Sequence, residues 1–330
     1  MKLLIRAPLS SKRIAELEEN FNEVIYLPWT DTGKRYYEDK MIQILNEYKP
    51  DILITELDQI TKKVLDNYPN LKAIGDCRAN PANIDVDYCT KVGIPVLCTP
   101  ARNCQAVAEM IVGLVLDFYR NIFPAINWVK DRKWIKGTTP YYLWMGHELC
   151  GKKIGFVGFG AVGKTAAHLF EAFGCEISFY DPFVDNYDKN YNKCNLEQIF
   201  SDNDIVSIHL PVTDSTRNMI DYKLLSLMKP NSIFVNSARS AVVDSKALLK
   251  ILKEKQISGV ILDVLENEPP NETDLEISLF PNVLLTPHIC GATYEVKDHQ
   301  SDIITYNLLH WLNNKELEQV VFNKDVLNRR

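Results

Sequence analysis

The stretch Lys153-Ile154-Gly155-Phe156-Val157-Gly158-Phe159-Gly160-Ala161-Val162-Gly163 decides the fold of this chain. It begins with an apolar run that predicts a buried β-strand, and the run ends directly at Gly158. Residues 161–173 then have the apolar spacing of a helix, and Gly174, a residue type common at helix ends, follows them. The three glycines of the turn therefore lie between a strand and a helix.

The spacing of these glycines is that of a turn that binds phosphate groups. Gly158 permits the tight turn, Gly160 lets the backbone approach a pyrophosphate, and Gly163 lets the helix pack closely on the strand. The N-terminus of the helix adds unpaired N–H groups and a partial positive charge. A purely structural turn is the alternative, but the strand–turn–helix context favours a dinucleotide-binding site.

Asp181 stands at the end of the next predicted strand, residues 176–180, at the distance from Gly163 that such a site requires. A carboxylate there accepts hydrogen bonds from the ribose hydroxyls and repels a 2′-phosphate, so NAD is favoured over NADP as the cofactor. Lys189 or Lys193 in the following loop could instead reach a phosphate.

Short apolar runs alternate with helical patterns along most of the chain, which predicts parallel βαβ units. The first series of predicted strands covers residues 2–6, 23–27, 51–55, 71–76 and 94–97. The second series covers residues 153–157, 176–180, 204–208, 232–236, 258–262 and 283–285. Long helices are predicted at 103–123 and 293–313, an irregular aromatic arm at 124–150, and a solvated loop at 185–195. The fold class is therefore α/β, with two doubly wound lobes.

Composition narrows the class of protein. With 330 residues, 46% hydrophobic and 24% charged, the chain is predicted to be a soluble protein of two domains. The net charge of −6 argues against nucleic acid as a partner. The apolar stretches are too short for a signal peptide or a membrane span. The eight cysteines are scattered without a C-x-x-C pair, so we predict a reducing cytoplasm and no metal site.

Three polar residues follow the last three predicted strands, and the carboxyl ends of parallel strands face the ligand. Arg239 offers a planar guanidinium that can hold a carboxylate and polarise a carbonyl. His288 is a suitable proton donor near neutral pH. Glu268 can fix the imidazole, although Glu266 is an equal candidate on charge alone.

Each of these residues could also be structural if taken singly: Arg239 as a surface or ion-paired arginine, and His288 as a satisfied histidine. Their shared position at one edge of a dinucleotide-binding sheet favours a catalytic group. We therefore predict hydride transfer on a 2-oxo or 2-hydroxy acid.

The chain resembles the D-isomer-specific 2-hydroxyacid dehydrogenase family over nearly its whole length. The segments that carry the resemblance are residues 107–109, 157–163, 209–211, 236–239, 263–269 and 286–289. The resemblance implies a Rossmann dinucleotide-binding domain, residues 103–297, inserted into a smaller flavodoxin-like substrate domain, residues 1–102 and 298–330. It also implies a homodimer through the nucleotide domain, with the arm 124–150 as a contact.

The resemblance assigns roles to individual residues. Arg239 would bind the substrate carboxylate or carbonyl, His288 would be the acid/base, and Glu268, rather than Glu266, its partner. The implied cofactor-binding positions are Thr99, Asn103, Gly158, Gly160, Ala161, Val162, Gly163, Asp181, Leu210, Ser237, Ala238 and Asp263. The implied substrate-binding positions in the first lobe are Arg78 and Ala79, in the loop whose backbone N–H groups hold the carboxylate in the family.

The chain departs from the family pattern around the acid pocket. The loop 76–81 is not glycine-rich, Ser240 replaces a common glycine after the arginine, and Cys290 replaces another after the histidine. Arg6 and Arg78 both stand at strand ends of the first lobe. We hypothesise that at least one faces the expected cleft and selects a second anionic or a polyhydroxylated group. Solvated or ion-paired arginines are the alternative.

The predicted activity is that of an NAD-dependent 2-oxo acid reductase with His288 as acid/base. The alternative from another class is an NAD(H)-sensing, corepressor-like binding protein on the same fold. An oxidase of a small inorganic or one-carbon anion is a third possibility. The presence of arginine, glutamate and histidine together favours the reductase, because a sensor does not need a proton donor.

Overall fold

The computed structural model describes residues 1–185, 187 and 191–329. The chain forms two compact units. Unit 1 comprises residues 1–103 and 293–330, and unit 2 comprises residues 104–292.

The first part of unit 1 is a regular alternation of strands and helices. Its strands are β1 (Lys2–Ile5), β2 (Glu23–Tyr26), β3 (Ile52–Thr55), β4 (Ala73–Asp76) and β5 (Val96–Cys98). Its helices are α1 (Ser11–Asn20), α2 (Glu38–Tyr48), α3 (Lys62–Asn67) and α4 (Val86–Val92). All five strands are parallel and pair in the order β2-β1-β3-β4-β5, which is the flavodoxin-like order.

Unit 2 begins with helices. They are α5 (Cys104–Arg120), α6 (Ile122–Lys130) and α7 (Pro140–Leu143). The strands that follow are β6 (Lys153–Val157), β7 (Glu176–Tyr180), β8 (Asn192–Lys193), β9 (Ile205–Ile208), β10 (Ile233–Asn236), β11 (Gly259–Leu262) and β12 (Val283–Leu285). The helices among them are α8 (Ala161–Ala172), α9 (Leu196–Asp202), α10 (Tyr222–Leu225), α11 (Ser245–Lys253) and α12 (Glu272–Glu276).

The parallel sheet of unit 2 has the order β12-β11-β10-β9-β6-β7-β8. Chain order reverses between β6 and β9, so the Rossmann switch point lies beside the glycine turn that follows β6. Strands β9, β10 and β11 are buried along their whole length, as expected for a parallel sheet covered on both faces. The predicted fold class, a Rossmann domain with a flavodoxin-like domain, is confirmed.

The chain returns to unit 1 in α13 (Val296–Leu312) and α14 (Leu317–Val320). Helix α13 packs on the sheet of unit 1 through Ile304, Leu308 and Trp311. A Cβ atom at Gly75 of β4 would lie 3.0 Å from Cδ1 of Ile304, so a glycine in the strand allows this close approach. None of the helices in the described ranges has the length and apolar character needed to cross a bilayer.

Three local predictions differ from the structure, and residues 186 and 188–190 of the predicted loop 185–195 lie outside the described residues. The arm 124–150 is not irregular throughout, because its first part belongs to α6. The long predicted helix ends earlier than expected, since Asn121 adopts a left-handed φ of 54° between α5 and α6. In the predicted solvated loop 185–195, residues 192–193 form the edge strand β8, which pairs with Ser178 and Phe179.

Candidate active site

The glycine turn after β6 leaves room for a ligand at one glycine alone. Gly158 has a φ of +89°, and a Cβ there would lie 2.6 Å from the carbonyl oxygen of His209. At Gly163 a Cβ would lie 2.6 Å from the carbonyl oxygen of Gly158. At Gly160 no atom of the described residues lies within 4 Å of such a Cβ. Gly158 and Gly163 are therefore required by the close packing of the turn, whereas Gly160 borders open space.

Helix α8 starts beside this open space with its backbone donors uncapped. Gly160 is the N-cap residue and makes no side-chain capping bond. The first N–H groups of a helix have no intrahelical acceptor, so those of Ala161, Val162 and Gly163 are available to an anion. These residues fit the pyrophosphate of a dinucleotide.

Asp181 holds the glycine turn in place. Its Oδ2 accepts a hydrogen bond from the backbone N of Phe159 at 2.7 Å, and its Oδ1 accepts one from the backbone N of Phe183 at 2.8 Å. Lys193 pairs with Asp185 at 3.2 Å. Lys189, the other cation considered for a 2′-phosphate, lies outside the described residues. The described residues near Asp181 thus suit unphosphorylated ribose.

The other residues predicted to bind the cofactor belong partly to unit 2 and partly to unit 1. Leu210 follows β9 and is buried, and Ser237 and Ala238 follow β10. The hydroxyl of Ser237 is buried without a partner among the described residues, as is that of Thr99. Thr99 and Asn103 belong to unit 1. A buried hydroxyl without a partner fits a group that contributes to ligand binding.

Arg239, Glu268 and His288 come to the same edge of the sheet of unit 2. Strand register pairs Asn236 with Leu262 and Leu262 with Leu285, so β10, β11 and β12 end side by side. The loops that carry the three residues follow these three strands.

His288 and Glu268 form a close pair. Nδ1 of His288 lies 2.6 Å from Oε2 of Glu268, and the side chains are 46% and 42% exposed. Glu266 instead accepts a hydrogen bond from Ser245 Oγ at 3.1 Å. The geometry thus selects Glu268 over Glu266 as the partner of the imidazole, and leaves the other ring nitrogen for a ligand.

Asp263 fixes the turn that carries His288. Its Oδ1 accepts hydrogen bonds from Thr286 Oγ1 at 2.6 Å and Ile289 N at 2.8 Å. Its Oδ2 accepts one from Cys290 N at 2.8 Å. The side chain is 2% exposed. These three bonds hold His288 at a left-handed φ of 55°, a backbone conformation that is unfavourable for a residue with a Cβ.

Arg239 is not joined to this pair. Its Nη1 donates to the carbonyl of Ala238 at 2.6 Å, and Asn236 Nδ2 donates to the carbonyl of Arg239 at 3.0 Å. No hydrogen bond or ion pair between Arg239 and either Glu268 or His288 occurs in the described structure. The exposed guanidinium keeps most of its donors available.

Arg6 does not face a ligand, so for this residue the ion-paired alternative holds. It is 1% exposed, its Nε donates to Asp58 Oδ2 at 3.1 Å, and its guanidinium stacks 3.7 Å from the ring centroid of Tyr36. Arg6 is buried in an ion pair with Asp58, because β1 is an interior strand of its sheet and the residues after β2 and β3 pack around its end. Arg78 is partly buried and Ala79 exposed, both directly after β4.

The sequence analysis missed two buried titratable groups. His209 follows β9, where Ser207 Oγ lies 2.9 Å from its Nε2, and burial lowers its pKa to about 4. Asp76 at the end of β4 is fully buried, and burial raises its pKa to about 8. Their positions at strand ends were the available signal. Among the described residues, no group of three His, Cys, Asp or Glu could hold a metal ion, and all eight cysteines are free thiols.

Comparison with known proteins identifies the family. The family model for the D-isomer specific 2-hydroxyacid dehydrogenase, NAD binding domain, matches residues 112–290. The Bacillus subtilis protein YoaD, named as a 2-hydroxyacid dehydrogenase, is 46% identical over 329 residues, 99% of this chain and 96% of that protein. A glyoxylate reductase of Thermofilum pendens is 38% identical over 288 residues, 86% of this chain and 84% of that protein.

A solved structure has the same fold over almost the whole chain. The acyclic imino acid reductase Bsp5, in complex with NADPH and D-Arg, has a TM-score of 0.80 and 27% identity, covering 98% of this chain and 100% of that chain. The chain belongs to the D-isomer specific 2-hydroxyacid dehydrogenase family. It is an oxidoreductase with NAD as its cofactor, as the sequence predicted.

Proposed function

We propose that the protein interconverts a 2-oxo acid and a D-2-hydroxy acid, acting mainly as a reductase, with His288 as the acid/base. The observation that carries this proposal is the 2.6 Å contact between His288 Nδ1 and Glu268 Oε2 at the carboxyl edge of the dinucleotide-binding sheet. A carboxylate on one ring nitrogen fixes the tautomer and orients the other nitrogen toward a substrate oxygen.

The chemistry divides between the coenzyme and the protein. Bound NADH supplies the hydride, which goes to C2 of the acid. His288 donates a proton from Nε2 to the carbonyl oxygen, and Glu268 stabilises the positive charge of the imidazolium before transfer. In the reverse direction His288 removes the hydroxyl proton.

Arg239 binds the substrate carboxylate and polarises the carbonyl through its planar guanidinium. Its backbone is held by Asn236, so the guanidinium is presented from a fixed loop. Arg78 and Ala79 in unit 1 also bind the substrate. The substrate domain comprises residues 1–102 and 298–330, and the dinucleotide-binding domain residues 103–297.

The substrate is a small 2-oxo acid. The Thermofilum pendens relative is named as a glyoxylate reductase, which supports this class. In the dinucleotide site, Leu210, Ser237, Ala238 and Asp263 line the cofactor, with Thr99 and Asn103 from unit 1. The carboxylate of Asp181 binds the ribose hydroxyls and favours NAD over NADP.

The protein is a cytoplasmic homodimer in this proposal. The arm 124–150 exposes large apolar side chains, including Trp134 at 63%, Ile135 at 65% and Tyr141 at 77%. Such a patch is typical of an interface. Light scattering after gel filtration should give twice the chain mass, and the double variant Trp134→Ser, Ile135→Asp should give the monomer mass.

The activity is tested by NADH oxidation at neutral pH with a panel of 2-oxo acids, using wild type and His288→Ala. Reduction of at least one acid by wild type, with a loss of about 10²- to 10⁴-fold in kcat for the variant, supports the proposal. Tight NADH binding without turnover of any acid would contradict it and favour the NAD(H)-sensing alternative.

A further inference from the structure

The carboxyl edge of the sheet in unit 1 presents an arginine without a partner. Arg78 follows β4 and is partly buried, and its guanidinium makes no hydrogen bond or ion pair within the described part of the chain. Its backbone carbonyl accepts a hydrogen bond from Thr99 N at 2.9 Å, which ties its loop to the end of β5. A partly buried, positively charged side chain on a tied loop is suited to bind an anion.

Arg102 lies after the neighbouring strand β5, and among the described residues only its Nη1 has side-chain partners. Its Nη1 donates to Glu56 Oε1 at 3.0 Å and also contacts Oε1 of Gln300. Glu56 is 7% exposed and Gln300 is 1% exposed, so both anchors are buried. Nε and Nη2 have no partner among the described residues and remain available for a ligand.

Asp76 ends β4 shortly before Arg78, and the charge of Arg78 partly offsets the effect of burial on the pKa of Asp76. The Asp76 side chain is 0% exposed, and its Oδ2 has no partner among the residues described. Burial raises the pKa of Asp76 to about 8, so the carboxyl is mostly uncharged at neutral pH. Asp76 and Arg78 form no ion pair.

Of Arg6, Arg78 and Arg102 at this edge, Arg6 and Arg102 have acidic partners among the described residues. Arg6 and Asp58 cancel at 3.1 Å, and Arg102 and Glu56 cancel at 3.0 Å. Arg78 is left over. An anion is the ligand that this balance favours.

We propose that Arg78, assisted by the free N–H groups of Arg102, binds a second anionic group on the substrate, distinct from the carboxylate next to the reacting carbonyl. The inference rests on the proposed function. It names the substrate class as a 2-oxo acid with a carboxylate or phosphate at its other end. A polyhydroxylated tail fits less well, because a guanidinium without an acidic partner favours an anion over neutral hydroxyl groups.

The test compares acids that differ in the charge of the tail. NADH oxidation is followed with pyruvate and hydroxypyruvate, which have uncharged tails, with oxaloacetate and 2-oxoglutarate, which add a carboxylate, and with 3-phosphohydroxypyruvate, which adds a phosphate. Wild type should prefer at least one charged-tail acid by about 10-fold or more in kcat/KM. The carboxylate and phosphate acids distinguish the two forms of the anion.

Variants then assign the preference to residues. Arg78→Gln should raise KM for the preferred charged-tail acid by about 10- to 100-fold, the effect of one charge-assisted contact, and change kcat little. For pyruvate the rise in KM should be smaller than for the charged-tail acid, because pyruvate has no anionic tail for Arg78 to bind. Arg78→Glu should remove the preference for anionic tails altogether. Arg102→Lys, which retains the charge beside Glu56, should have a smaller effect in the same direction.

Arg35→Gln is the matched control. Arg35 is an exposed arginine of unit 1 that stacks 4.9 Å from the ring centroid of Tyr37, and its loss should leave all the acids unaffected. Equal effects of Arg78→Gln on charged and uncharged tails, or a wild type that prefers uncharged tails, would overturn the inference while leaving the proposed function intact. A wild type that reduces no acid would overturn both.

Discussion

The imidazole of His288 and the carboxylate of Glu268 meet at 2.6 Å although the two residues follow different strands of the sheet. The contact exists because β11 and β12 are neighbours and both loops leave the same edge. The His288 backbone is held in a left-handed conformation by Asp263, so the imidazole is positioned from both sides. Substitutions at Glu268 and at Asp263 can therefore test the contact to the imidazole and the backbone conformation of His288 separately.

Glu268→Gln is expected to lower kcat by about 10- to 100-fold, less than the loss in a His288→Asn variant. The amide can still accept a hydrogen bond from Nδ1, but it carries no charge to stabilise the imidazolium. Steady-state NADH oxidation measures both values. Glu266→Gln is the control, because its carboxylate contacts Ser245, and it should retain the wild-type rate. Equal losses in the Glu266 and Glu268 variants would contradict the assignment.

Asp263→Asn is expected to lower kcat more than Thr286→Val. The first substitution disturbs three hydrogen bonds to the turn that carries His288, whereas the second removes one of them. Stability should also fall, by about 1 to 3 kcal/mol for Asp263→Asn. Urea denaturation and NADH oxidation on the same samples separate the two effects. If Thr286→Val is the more damaging change, the role of Asp263 in holding the turn is wrong.

Gly160→Ala is expected to fold normally and to bind NADH about 10- to 100-fold more weakly. The added methyl group meets no described atom of the protein within 4 Å, but it fills the space in which we expect a pyrophosphate. Gly158→Ala should lower both stability and affinity, because its φ is +89° and a Cβ would lie 2.6 Å from the carbonyl of His209. Thermal unfolding and NADH fluorescence titration give the two quantities.

Asp76→Asn is expected to change how stability depends on pH. The pKa of Asp76 is raised from 3.8 to about 8 in the folded protein, so the folded state binds more protons than the unfolded state between these values. The wild type therefore loses stability as pH rises through this window. Relative to wild type, the variant should gain about 5 kcal/mol in free energy of unfolding between pH 4 and pH 8.

Urea denaturation of wild type and Asp76→Asn at several pH values tests this expectation. Asp58→Asn provides a contrast, because Asp58 is paired with Arg6 in the fold and its loss leaves a buried cation. A constant difference between wild type and Asp76→Asn across the range would show that Asp76 is charged in the folded state.

The sequence predicted the elements that apolar periodicity marks clearly. Strands β6, β7 and β12 have the predicted bounds, and most other strands differ by one or two residues. The glycine turn and the strand-end position of His288 were also visible, because both depend on local order along the chain. The contact with Glu268 needed strand register, which periodicity alone does not give.

Tertiary burial was the part that the sequence could not predict. Arg6 and Arg78 look alike as arginines at strand ends, yet Arg6 has Asp58 as a buried partner and Arg78 has none among the described residues. The partner comes from another loop, 52 residues away in the chain. Asp76 and His209 have shifted pKa values for the same kind of reason, since desolvation depends on what the fold packs around a group.

The carboxylate of Asp181, which holds the backbone of Phe159 at 2.7 Å, constrains any redesign of coenzyme choice. Replacing Asp181 with a small or basic residue to admit a phosphorylated ribose would also remove the hydrogen bond that anchors the glycine turn, where we expect the diphosphate to bind. A single substitution at Asp181 is therefore expected to change the coenzyme preference and to weaken coenzyme binding at the same time. A variant that uses a phosphorylated coenzyme would therefore need another hydrogen-bond acceptor for the backbone N–H of Phe159.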